Sequence, residues 1–104
     1  MSANDTEFLQ QVKSTVQAID PTAEVWLFGS RARGDARDDS DWDFLVLTEQ
    51  ATEVALKYAI WDGLTELEWL TGKSINPAVI EKNAWITHRF APFAQNARQE
   101  GISL

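Results

Sequence analysis

Two short apolar runs, Glu24–Phe28 (EVWLF) and Asp41–Leu47 (DWDFLVL), constrain the fold most. Each has the length and β-branched or aromatic content of a strand. Between them the chain turns at Gly29-Ser30 and then carries unusual charge. Residues 29–43 read GSRARGDARDDSDWD, with three arginines and five aspartates. A surface loop accounts for much of that charge. It accounts poorly for Asp41 and Asp43, which run into the second apolar segment.

The flanking segments complete a pattern. Phe8, Val12, Val16 and Ile19 fall close to helical spacing, so residues 5–19 are expected to be helical. Asn4 with Glu7 resembles a capping box, and Asp20-Pro21 ends the helix. Arg31-Ala32-Arg33 can open a short helical turn, and residues 34–40 form a polar loop. A long helix is expected over residues 52–71, with Val54, Tyr58, Ile60, Trp61, Leu64 and Leu67 on a broad apolar face and Gly72 beyond its end. Residues 74–80 make a poorer strand, because Pro77 cannot donate a ladder hydrogen bond, which suggests an edge or an irregular strand. The tail holds a turn near Lys82–Trp85 and a helix near Pro92–Glu100. The order predicts a mixed α/β (α+β) domain, a short mixed sheet with helices packed on it.

A chain of 104 residues is expected to form one domain. Apolar residues make up 44% and include five tryptophans, which are expected mostly in the core. That is enough to form a core without metal or disulfide staples. With no cysteine, thiol catalysis, disulfides and zinc–thiolate sites are excluded. The polar, acidic start lacks a signal-peptide pattern. No run approaches the roughly 18 apolar residues that span a bilayer. A cytoplasmic protein is expected. The net charge of −7 argues against a polynucleotide track, which needs a basic surface.

Along a strand, residues two apart face one side, so Asp41 and Asp43 are expected to point together. Two carboxylates about 7 Å apart repel by about 2 kcal/mol at an effective dielectric near 20. Water or a cation must relieve that, and a hard divalent ion with oxygen ligands fits. Gly29 permits a sharp turn and a close ligand approach, and Ser30 offers a hydroxyl. Amides at the start of a helical turn face an anion.

Other motifs fail. Asp39, Asp41 and Asp43 mimic the first ligands of a calcium loop, but Phe44 and Gln50 occupy the positions that need Gly and Glu. Thr71-Gly72-Lys73-Ser74 looks like the end of a P-loop, but Leu67 stands where a glycine is required. His88 is the sole histidine, which argues against a histidine-based metal cluster or triad and for a structural role. Arg31, Arg33 and Arg37 can each touch phosphate or pair with Asp35, Asp38 or Asp39. Trp61 and Trp69 can belong to a partner-binding face.

Gly29-Ser30, Arg31-Ala32-Arg33-Gly34 and Asp39-Ser40-Asp41-Trp42-Asp43 together resemble the G-S-x-A-R-G…D-S-D-x-D signature of DNA polymerase β-type nucleotidyltransferases. The nearest likeness is to minimal single-domain members that act as antitoxin partners of helical HEPN proteins. The resemblance implies that Gly29 and Ser30 bind the triphosphate of a nucleoside triphosphate, first of all ATP. It implies that Asp41 and Asp43 hold Mg²⁺ (or Mn²⁺). Arg33 would neutralise phosphate charge. A nucleoside monophosphate would pass to an acceptor hydroxyl, releasing pyrophosphate, with a HEPN-type toxin as the first acceptor to consider.

The family usually adds a third carboxylate on the strand after the long helix. Here that strand reads SINPAVI, and its nearest polar residue is Asn76. Glu81 follows late, and Glu66 and Glu68 lie on the helix. This departure favours a second reading: a catalytically degenerate module that binds a nucleotide or a partner.

Overall fold

The computed structural model describes residues 2–49, 54–83 and 99–104. The first helix, α1 (Ala3–Ile19), starts earlier than expected. The Ser2 hydroxyl accepts from the Asp5 amide at 3.1 Å, and the Asp5 carboxylate accepts from the Ser2 amide at 3.4 Å. This capping box supplants Asn4 and Glu7, which lie inside the helix. Phe8, Leu9, Val12 and Val16 form the buried stripe of α1.

Strand β1 (Glu24–Phe28) leads directly into a five-residue helix, α2 (Gly29–Arg33), where a turn beginning at Arg31 was expected. Strand β2 (Trp42–Thr48) begins one residue later than expected, so Asp41 precedes the ladder. Helix α3 (Val54–Thr71) and strand β3 (Ile75–Glu81) follow, and a two-residue strand, β4 (Ile102–Ser103), comes last.

The sheet order is β3-β2-β1-β4. β1 runs antiparallel to β2 and to β4, whereas β2 and β3 are parallel. The long α3 crossover supplies the connection that a parallel pair requires. Pro77 lies on β3, at the sheet edge as expected.

β2 is interior and buried along both faces, which explains its unbroken FLVL run. Trp42, Phe44 and Val46 join Val25, Leu27 and the helices in the main core. Leu45 and Leu47 lie on the other face with Trp26, Phe28 and Ile80. The Trp42 ring meets the Phe8 ring edge-on, with centroids 5.0 Å apart. The two long helices pack on each other. At their contact a Cβ on Gly63 would stand 2.9 Å from the Thr15 methyl and 3.4 Å from Ile19 Cδ1, so the missing side chain permits the approach.

The expected apolar face of α3 splits. Ile60, Leu64 and Leu67 are buried, whereas Val54, Tyr58 and Trp61 are exposed. Among the four described tryptophans, Trp61 and Trp69 are exposed, at 49% and 85%, against the expectation of a mostly core placement. Among those described, Trp42 is buried and Trp26 half-buried.

Lys82 and Asn83 are helical, as are Gln99 and Glu100. The rest of the expected turn (84–85), most of the expected last helix (92–98), the expected start of the long helix (52–53), Trp85 and His88 lie outside the described residues. No helix among the described residues is long and apolar enough to cross a membrane.

Candidate functional site

Strand register assembles the site. Phe28, the last residue of β1, is opposite Asp43 near the start of β2, and Asp43 is opposite Asn76 near the start of β3. Gly29 follows Phe28 at once, so Gly29, Asp43 and Asn76 form a row across three strand ends. With strands about 4.8 Å apart, neighbouring members of such a row are within side-chain reach.

Gly29 makes the row close. Its φ of 69° lies in the left-handed region, and a Cβ there would collide with Asp43 Oδ2 and stand 3.3 Å from Cγ. Asp43 thus rests against bare backbone on one side. On the other side, Asn76 Nδ2 donates to Asp43 Oδ1 at 3.1 Å. Trp42 and Phe44, on either side of Asp43, are both buried in the core and anchor it. Asp43 itself is half-buried and Asp41 exposed.

Ser30 sits in the first turn of α2, which has no side-chain cap at its start. The carbonyl of Ser30 accepts from the amides of Gly34 and Asp35 at 3.0 and 3.1 Å. Its hydroxyl has no protein partner among the described residues.

The arginines have separate roles. Arg31 holds the loop that delivers Asp41: its Nη2 donates to the carbonyls of Ser40 at 3.0 Å and Asp38 at 3.3 Å. Its guanidinium lies 4.5 Å from the centre of the Trp42 ring, a cation–π contact. Arg33 pairs with Asp35 at 3.4 Å and with Glu100 at 3.8 Å. In the same loop, the Arg37 amide donates to Ser40 Oγ at 2.9 Å. The pairing expected of the arginines thus holds for Arg33 with Asp35. Arg31 instead engages backbone, a role that no charge count reveals.

The substitutes for a third carboxylate are placed unequally. Glu81 is opposite Thr48, at the far end of β2 from Asp43. Five residues at about 3.3 Å each separate those ends by roughly 17 Å, so Glu81 cannot join the row. Glu68 is engaged elsewhere, its Oε2 accepting from the Ile75 amide at 3.0 Å. Asn76 alone occupies the position beside Asp43. Among the described residues no cluster of three or more acidic, histidine or cysteine side chains could hold a metal. The oxygen donors of the row are the Asp43 carboxylate and the neutral Asn76 amide, and Asp41 lies two residues before Asp43, just ahead of the strand. These are hard ligands suited to Mg²⁺ or Mn²⁺ with water and phosphate completing the shell. A cleft of about 240 Å³ lies between α3 and β3, lined by Trp61, Thr65, Glu68 and Asn76.

A second polar cluster lies at the opposite end of the sheet. Thr48 Oγ1 donates to Asp20 Oδ2 at 2.6 Å, and the Thr22 amide and hydroxyl donate to Oδ1 at 3.0 and 2.7 Å. Lys82 Nζ donates to the Thr22 carbonyl at 2.7 Å. Burial opposes ionisation of Asp20, but the hydrogen bonds from Thr48 and Thr22, helped by the Lys82 charge, hold its pKa below the ordinary 3.8.

A glycine–serine turn facing an aspartate row, on a mixed sheet with one long crossover helix, is the arrangement of a nucleotidyltransferase. The chain belongs to that family: residues 8–99 match the model of the nucleotidyltransferase domain. It is 28% identical over 86 residues to the "Probable protein adenylyltransferase MntA" of Haemophilus influenzae, covering 74% of this chain and 75% of that protein. Two solved structures assigned to nucleotidyltransferases share the fold. One has a TM-score of 0.66 at 16% identity, covering 92% of this chain and 96% of its own. The other, from Sulfolobus solfataricus, has a TM-score of 0.59 at 19% identity, covering 93% and 76%.

Proposed function

We propose that the chain transfers AMP from ATP to a hydroxyl on a partner protein. The observation that carries this reading is the approach of Gly29 to Asp43, which sets the backbone turn after β1 directly against a carboxylate. The protein adenylyltransferase named above as a relative supports both the nucleotide and the class of acceptor.

Gly29 and the α2 turn would receive the triphosphate, with the Ser30 hydroxyl free to donate. Asp41 and Asp43 would hold Mg²⁺ (or Mn²⁺), which when bound supplies charge neutralisation at a phosphoryl oxygen. Arg33 would add positive charge on releasing Asp35 and Glu100. Arg31 fixes the loop and thereby the position of Asp41. The partner would be a helical protein of HEPN type, with this chain as its antitoxin. Exposed Tyr58, Trp61 and Trp69 on α3 offer an aromatic face for it.

A second reading is favoured by Asn76. With an amide beside Asp43, the chain would be a nucleotide- or partner-binding module without transfer.

The test is transfer of label from α-³²P ATP to protein, with Mg²⁺ or Mn²⁺, in lysate of the source cells, with Asp43→Asn as control. Label on a discrete protein, lost in the mutant, supports transfer. Cation-dependent ATP binding without label supports the binding module. Absence of both label and ATP binding would overturn transfer and nucleotide binding together, and leave only docking on a partner.

A further inference from the structure

We infer that Asn76 is a positioning residue, which holds the Asp43 carboxylate in place and, being neutral, leaves Asp41 and Asp43 as the two charges that one divalent cation balances. The inference rests on the proposed cation reading and adds to it a residue that the aspartate motif does not contain.

Three observations converge on Asn76. It is in register with Asp43 on the adjacent parallel strand, and its Nδ2 donates to Asp43 Oδ1 at 3.1 Å. Asp43 cannot retreat toward β1, because its Oδ2 already rests on Gly29. Pro77 follows Asn76, and a residue before proline is confined to extended backbone, so the base of the Asn76 side chain is fixed. The amide therefore orients one carboxylate oxygen and leaves the other toward the α2 turn.

Charge gives the second half. Asp41 and Asp43 carry two negative charges, equal to one Mg²⁺ or Mn²⁺. A carboxylate at position 76 would put a third charge at hydrogen-bond distance from Asp43 and remove the donor that steadies it. Without a cation that exchange is unfavourable, because like charges then face each other. With a cation it adds a ligand. Asparagine gives an aspartate that is ordered before the ion arrives, at the cost of weaker binding.

The experiment is a Mn²⁺ titration of the full chain, followed by its melting temperature, with a non-hydrolysable ATP analogue present. The variants are Asn76→Ala, Asn76→Asp and Asp43→Asn. We expect a Mn²⁺-dependent rise in the wild type that Asp43→Asn abolishes. Asn76→Ala should move the Mn²⁺ midpoint up roughly tenfold, as removing a partner of a metal ligand does. Asn76→Asp should melt below the wild type without Mn²⁺, yet show a lower midpoint and a larger rise. The titration midpoint is read within each variant, so a general loss of stability does not imitate the effect. Should Asn76→Asp fail to fold, Asn76→Ala and Asn76→Ser decide. Equal midpoints in wild type and Asn76 variants, with the rise still lost in Asp43→Asn, would overturn the role of Asn76 and leave the cation reading standing. No Mn²⁺ response in the wild type would overturn both.

Discussion

Thr48 and Asp20, 28 residues apart in the chain, share a hydrogen bond of 2.6 Å inside the protein, with Thr48 fully buried and Asp20 5% exposed. The bond ties the end of β2 to the turn that follows α1. Because the pKa of Asp20 is lowered on folding, its ionised form adds stability above the unfolded pKa of about 3.9 and loses it as pH falls through the folded value. Wild-type stability should therefore be insensitive to Asp20 near neutrality and decline below about pH 4. Thr48→Val removes the leading favourable hydrogen bond and leaves burial to push the pKa up. It should cost about 1–3 kcal/mol at pH 7, and acid unfolding should begin at higher pH. Urea melts across pH 3–7 would check both. An unchanged acid limb would show that the bond contributes nothing to ionisation.

Gly29→Ala adds a Cβ at positive φ that meets the Asp43 carboxylate. Backbone strain and the clash together should cost about 1–3 kcal/mol. ATP binding should suffer more than stability, since Asp43 must shift to make room. Gly34→Ala is the control: its φ is 84°, but nothing lies within 4 Å of the added atom. It should show the strain without the loss of binding. Calorimetric titration with ATP and chemical denaturation on both variants would separate the two effects.

Arg31→Lys keeps the charge but loses the Nη2 group that donates to two carbonyls and the planar guanidinium that lies over Trp42. Residues 35–40 should then exchange their amide hydrogens faster by about tenfold or more, while β1 and β2 remain protected. Hydrogen exchange read by NMR would test this. Uniformly faster exchange throughout would mean that Arg31 supports the whole fold instead of the loop.

Gly63→Val inserts a side chain where α3 faces Thr15 and Ile19 of α1. Overpacking there should destabilise the protein by about 1–3 kcal/mol with an unchanged denaturant slope. A neutral or stabilising result would show that Thr15 and Ile19 yield easily.

The elements with strong local signals were legible in the sequence. β1 has the expected bounds, because EVWLF is bounded by a polar turn and by Gly29. Pro77 announced the edge position of β3. The Gly29-Ser30 break announced the end of β1, although α2 begins at Gly29 and not at Arg31. What was hidden depends on register or on distant partners. The pairing of Asn76 with Asp43 appears only once β2 and β3 are aligned. β4 has two residues and so no alternation to read; its signal is the bond from the Leu104 amide to the Val25 carbonyl, 2.9 Å long. Asp20 read as a helix stop beside Pro21, and its buried bond to Thr48 had no local sign. Arg31 looked like its neighbours Arg33 and Arg37 until its carbonyl partners were placed. Periodicity showed that α3 was amphipathic but did not separate buried Ile60 from exposed Trp61, adjacent residues on the edge of one stripe.

The central strand β2 separates two tasks along its length. Its first residues present Asp43, and its last, Thr48, closes the buried knot around Asp20. The Asp43 end is held by buried apolar neighbours, and the Thr48 fastening lies roughly 17 Å away. Changes in the charged loop thus draw little on the reserve that keeps the chain folded. Such a division makes the scaffold evolvable: residues around Asp43 can be exchanged while the fold survives.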